Sequence, residues 1–139
     1  MRKIHIALGK ILAVTSCALL LFSCGTFHTS ELSGCSVTVS CPGLPGEFVL
    51  SDSDAAEVTD MLDQQTYFRD NLSCGFSEDA SITFTGENEH LTLYLARDAC
   101  PFLFSPEKGK YLKLSAENNR ALREILISYG GDIWLPENG

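Results

Sequence analysis

Ser81-Ile82-Thr83-Phe84-Thr85-Gly86-Glu87-Asn88-Glu89-His90-Leu91-Thr92-Leu93-Tyr94-Leu95 decides the fold. Ile82 and Phe84 alternate with Ser81, Thr83 and Thr85, so one side of this run is apolar. After the polar turn Gly86–Glu89, Leu91, Leu93 and Leu95 alternate with Thr92 and Tyr94. Period-2 patterning on both sides of a short turn predicts an antiparallel hairpin with one buried face. Working outward, Phe102–Phe104 is a third strand candidate. Lys110–Leu114 is a fourth, after the turn Pro106-Glu107-Lys108-Gly109. Upstream, Glu47–Ser51 reads as a short strand.

Two helices frame these strands. Ser51 or Asp54 can cap the first, and Asp54-x-x-Glu57 has capping-box spacing. Ala55, Val58, Met61 and Leu62 form its apolar stripe, which fades near Tyr67. Ser115 caps the second, with Leu122, Ile125 and Leu126 as its stripe and Gly130-Gly131 as its stop. Trp134 is expected to pack back onto the domain. Leu50-Ser51 before Val58, Met61 and Leu62 matches Leu114-Ser115 before Leu122, Ile125 and Leu126 at a constant offset. Shared strand-to-capped-helix grammar accounts for this echo. The pattern predicts an α+β domain, with a small, mostly antiparallel sheet of about four strands and two helices on one face.

The N-terminus carries an address. Arg2, Lys3 and Lys10 precede a nearly continuous apolar run, Ile11–Phe22. That run is short for a membrane span, which needs roughly 20 apolar residues, and has the length of a signal peptide. Leu21-Phe22-Ser23-Cys24 resembles the lipobox of bacterial lipoproteins. It has an aliphatic residue three before the cysteine and a small residue just before it, although Phe22 is bulkier than the pattern prefers. Val14-Thr15-Ser16-Cys17 also fits locally, but cutting there would leave Ala18–Phe22 as an exposed apolar tail. The resemblance covers the first 24 or 25 residues and specifies no activity. It implies removal of residues 1–23, a diacylglycerol thioether on Cys24, and a further acyl chain (commonly palmitate) on its amine. Multiple chains hold a protein to a membrane where one binds marginally. Gly25 is not the Asp that retains some lipoproteins in the inner membrane. The expected location is the bacterial cell envelope, with the domain outside the cytoplasm.

Residues 24–46, rich in Gly, Ser, Thr and Pro, read as the lipidated cysteine and a tether, and residues 47–139 as one domain. Val37 and Val39 alternate with polar neighbours inside this stretch, as a short strand or a disulfide-closed loop would. The whole chain has 139 residues and a formal net charge of −8. Removing the three positive charges of residues 1–23 takes the mature part to −11. Such acidity repels phosphate backbones and argues against a nucleic-acid partner. It keeps a small domain soluble.

With Cys17 removed and Cys24 lipidated, four of the six cysteines remain: Cys35, Cys41, Cys74 and Cys100. In an exported domain, four thiols read as two disulfides. Three connectivities are open, and Cys35–Cys41 with Cys74–Cys100 is favoured. The second pair would join segments flanking the hairpin. There is no CxxC, and the mature histidines His28 and His90 lie in the tether and at a turn, so no zinc spacing occurs and no metal or cofactor is expected.

No Gly-x-Ser-x-Gly elbow and no phosphate-binding glycine loop occurs. His90 beside Glu87 and Glu89 reads as a polar turn. The acids Asp52, Asp54, Glu57, Asp60 and Asp63 read as a solvated helix face, because Glu57 stands where a calcium loop needs glycine. Asp98 reads as a turn residue or a partner of Arg97. Tyr94 and Tyr111 fall on the sheet face opposite the leucines, beside Thr83, Thr85 and Thr92. If no second layer covers that face, the tyrosines form an aromatic patch suited to a protein or glycan partner. The leading expectation is a non-enzymatic, membrane-anchored binding module. An envelope hydrolase or accessory enzyme with an unrecognised site, and a structural envelope component, are the alternatives.

Overall fold

A computed structural model of the protein describes residues 26–136. It is an α+β domain with six antiparallel strands and two α-helices. In chain order these are β1 (Ser36–Ser40), β2 (Phe48–Val49), α1 (Asp52–Leu62), β3 (Phe76–Thr85), β4 (His90–Ala96), β5 (Phe102–Ser105), β6 (Lys110–Lys113) and α2 (Ala116–Ser128). The strands lie side by side in the order β2-β1-β3-β4-β5-β6.

The hairpin read from the sequence is the centre of this sheet. Its register sets Ile82 opposite Leu93 and Phe84 opposite Leu91. The neighbouring pairs continue the pattern. Val39 lies opposite Ile82, Val37 opposite Phe84, and Leu95, Leu103 and Leu112 align across β4, β5 and β6. All of these side chains are buried. They form one cluster with Val58, Met61 and Leu62 of α1 and Leu122 and Leu126 of α2, so the helices share the inner face. Each such side chain contributes roughly 1.5–3 kcal/mol of transfer free energy.

The sheet has six strands rather than about four, and the main source is the stretch read as a tether. From Thr26 onward that stretch belongs to the domain. Thr26 pairs with Thr66, a short 3-10 helix spans Thr29–Leu32, and Phe27 and Leu32 are buried. Its Ser-Val-Thr-Val-Ser run becomes β1, hydrogen-bonded on both sides. Composition misled here, because alternate strand positions face the threonine-rich outer side and therefore look loop-like. The expected Cys35–Cys41 bond is absent for the same reason. The two cysteines flank the five residues of β1, and an extended strand of that length holds its ends roughly 20 Å apart. Both are free thiols. Cys74 and Cys100 are joined. Closing a loop across 26 residues stabilises by roughly 3 kcal/mol.

Helix ends follow local chemistry. Ser51 Oγ accepts from Asp54 N at 3.2 Å and Ser115 Oγ from Asn118 N at 3.0 Å. The first helix stops at Leu62, earlier than the apolar stripe implied, and Gln64 then takes a left-handed φ of 63°. The second is closed by Gly131 N donating to Leu126 O at 3.0 Å. A side chain at 131 would collide with Cys41 Sγ and Leu126 O, so only glycine fits. The two strand-to-helix steps that echo each other leave from opposite edges of the sheet, β2 and β6.

One buried charge ties the top of the domain together. Arg123 is 1% exposed. Its Nε donates to Asn119 Oδ1 at 3.0 Å, Nη1 to Trp134 O at 3.0 Å, and Nη2 to Ala96 O at 2.8 Å and Cys100 O at 3.2 Å. Burial pulls its pKa down, and Asp98 partly opposes that. Asn119 in turn donates to Ala99 O at 3.0 Å, holding Ala99 at a left-handed φ of 63°. Trp134 lends only its backbone to this network. Its side chain does not pack back onto the domain and is 73% exposed.

Arg123→Met is expected to cost about 3 kcal/mol, because carbonyls buried around the guanidinium lose their donors. Arg120→Met, which removes a surface pair with Glu124 at 2.8 Å, should cost less than about 1 kcal/mol. Urea unfolding of both variants measures the difference, and equal costs would refute the assigned role of Arg123.

A second clasp joins the helices: Tyr129 donates to Asp54 Oδ2 at 2.6 Å and accepts from Ser51 N at 2.9 Å. The bonds from Tyr129 and then Ser51 hold the Asp54 carboxyl below its ordinary range. A depressed carboxyl contributes stability above about pH 4, where the unfolded group is ionised, and loses it as pH falls through the folded value. Tyr129→Phe should raise the Asp54 midpoint in a carboxyl NMR titration. An unchanged midpoint would remove Tyr129 as its cause.

Candidate functional site

The helices' buried side chains pack on the inner face, and the outer face of the sheet is built by the other half of each strand's alternation. Tyr94 lies opposite Phe104, and Phe104 opposite Tyr111. The three rings therefore form a row across β4, β5 and β6. Their centroids are 6.3 Å and 5.1 Å apart. The sequence-derived pair Tyr94 and Tyr111 thus share one surface, bridged by a ring that the sequence reading did not single out.

Three more rings complete the patch, and each arrives by a different route. Phe102 shares the β5 alternation with Phe104. Phe76 is delivered by an irregularity in β3. Between the pairs Phe76/Ala96 and Ser81/Tyr94, β3 advances five positions and β4 only two. The surplus bends the strand and brings Phe76 within 5.4 Å of Tyr111 and 5.9 Å of Phe104. Phe68 comes from the segment after α1, which pairs with the free edge of β6 through a bridge to Tyr111. Its ring lies 5.8 Å from Tyr111 and 5.7 Å from Phe102.

All six rings are half-buried. Their mutual contacts contribute on the order of 0.5–1.5 kcal/mol per pair beyond area burial. They therefore act as a small secondary core, and the disulfide at Cys74–Cys100 helps fix the strap that carries Phe68 and leads into Phe76. The remaining ring surface is turned to solvent. Beside it, on the same face, Thr83 Oγ1 and Thr92 Oγ1 lie 3.4 Å apart. The Lys113 ammonium sits 5.9 Å over the Phe102 ring, and Arg97 and Asp79 pair at 3.8 Å on exposed side chains. The face thus combines stacking surface and hydroxyls with a few charges at its margin.

The other candidates are placed as follows. Cys24 lies outside the described residues. Cys35 is half-buried beside Gly86, and Cys41 is buried, which pushes its thiol pKa up, with Asp132 adding to the effect. His90 is exposed at the start of β4, its Nε2 3.5 Å from Thr92 Oγ1. Among the described residues, the one grouping with metal-ligand proximity is Cys74, Asp98 and Cys100, and two of its three donors are spent on the disulfide. Asp98 instead accepts from Gly75 N at 3.3 Å and Cys100 N at 3.4 Å, bracing that turn. Of the acidic run, Asp54 and Asp63 are engaged by hydroxyls, Asp63 accepting from Thr29 Oγ1 at 2.9 Å. Among the described residues, no helix is long and apolar enough to cross a membrane. Compared with known proteins, the chain matches no family model, no curated sequence and no solved structure.

Proposed function

We propose that the protein is a lipid-anchored component of a bacterial envelope that binds another envelope or extracellular molecule through its aromatic sheet face. The row Tyr94–Phe104–Tyr111 carries the binding half of this reading. Aromatic side chains bring large contact area at low rotamer cost, and they dominate the energetic centres of binding surfaces. The anchor half rests on the basic and apolar N-terminus ending at Leu21-Phe22-Ser23-Cys24. The domain supplies no residues toward a reaction in this reading; its chemistry is recognition.

The two halves separate experimentally. The mature protein purified from its native envelope should carry lipid mass on Cys24, and the Cys24→Ser variant should lack it. A wild-type protein of unlipidated mass refutes the anchor. For binding, Tyr94→Ala removes a ring at the open end of the row while leaving the Phe76, Phe104 and Tyr111 contacts in place. Cross-linking in intact envelopes should yield an adduct for the wild type that is lost in Tyr94→Ala, with the thermal midpoint lowered by only about 4–8 °C. Retention of the same adduct by Tyr94→Ala would exclude this face.

A further inference from the structure

The domain starts almost at the proposed lipid. Thr26 is held by its bridge to Thr66, Phe27 N donates to Gln65 O at 2.7 Å, and Gln64 N donates to Phe27 O at 3.2 Å. Phe27 itself is 6% exposed and packs edge-on against Tyr67. Cys24 is two residues upstream of Thr26, and two residues reach at most about 7 Å. A headgroup layer is roughly 5–7 Å deep on each side of a bilayer. A lipid on Cys24 therefore leaves no spacer, and the Thr26 end of the domain must lie in or against the headgroups.

That end has its own chemistry. A cleft of about 290 Å³ opens there, lined by Thr26, His28, Tyr67, His90, Lys108 and Lys110 among others. Lys108 is held over the Tyr67 ring at 5.4 Å. Glu89 also lines the cleft, and Glu87 belongs to the same hairpin turn. The nearby acids Asp63 and Glu107 are occupied: Asp63 accepts from Thr29, while Glu107 accepts from Thr92 N at 3.0 Å and Ser105 Oγ at 3.3 Å. In a mature chain of net charge −11, two of the seven basic residues thus sit where the chain leaves for its anchor.

We propose, resting on the lipid anchor above, that the domain docks flush on the membrane through this cleft. Lys108 and Lys110, with His28 and His90 beside them, receive the phosphates of anionic phospholipid headgroups. Cationic side chains are attracted to an anionic leaflet, so a pair orients a domain that the lipid already holds.

Amine footprinting of the lipidated protein in phosphatidylglycerol/phosphatidylcholine vesicles tests this. Lys108 and Lys110 should acetylate several-fold more slowly than in the soluble Cys24→Ser protein, while Lys113, at the other end of β6, should be unchanged. In pure phosphatidylcholine vesicles the protection should be weaker. Lipid mass on Cys24 with all three lysines labelled as in the soluble form overturns the docking and leaves the anchor standing. Protection equal in both lipid compositions overturns recognition of anionic headgroups. Absence of lipid mass overturns the anchor and the docking together.

Discussion

The Arg123 guanidinium is bonded to three backbone carbonyls and an amide oxygen rather than to a carboxylate, and most of the outer ring patch depends on it. Taking a charge out of water costs several kcal/mol, and only a full set of acceptors offsets it. Ala96 ends β4, Cys100 closes the disulfide, Trp134 belongs to the C-terminal segment, and Asn119 lies one turn back on α2. One planar group therefore fixes four pieces of chain. Lysine, a single point charge without the planar fork, could not reach them all.

This knot links the inner and outer faces. It holds the turn bearing Cys100, and through the disulfide it holds Cys74. The segment around Cys74 carries Phe68 on one side and Phe76 on the other. The ring patch on the outer face is thus positioned from a helix on the inner face. Tyr94 and Thr92 differ, because they are set by the hairpin register alone. The open end of the patch needs only local structure, whereas its crowded end needs the whole upper domain.

What the sequence revealed divides along the same line. The hairpin, both helix caps and both apolar stripes were legible because neighbouring residues encode them. Tyr94 and Tyr111 were legible through period-2 alternation, which survives in regular strands. Phe76 was hidden by the irregular stretch of β3, which breaks that period, and Phe68 by a single bridge that leaves no pattern. Strand β1 was misread for a different reason: half of its residues face outward among threonines, so its composition is that of a linker. The Cys35–Cys41 pairing failed with it, since a strand between two thiols keeps them apart, while Cys74–Cys100 formed as expected. The exposed Trp134 ring defied the expectation that large aromatics turn inward, because only its carbonyl is used.

Strand β1 has one more consequence, for the order of assembly. Its partners in β3 run from Ser81 to Thr85, 41 to 49 positions along the chain from Ser40 and Ser36. The β3–β4 hairpin closes across a turn of four residues, Gly86–Glu89. Loop-closure entropy makes the distant pairing the slow step and the local one fast. Synthesis delivers β1 first, yet before the hairpin follows its available partner is the two-residue β2. Until β1 docks on it the β3 edge stays open, so the first strand to be made is secured late.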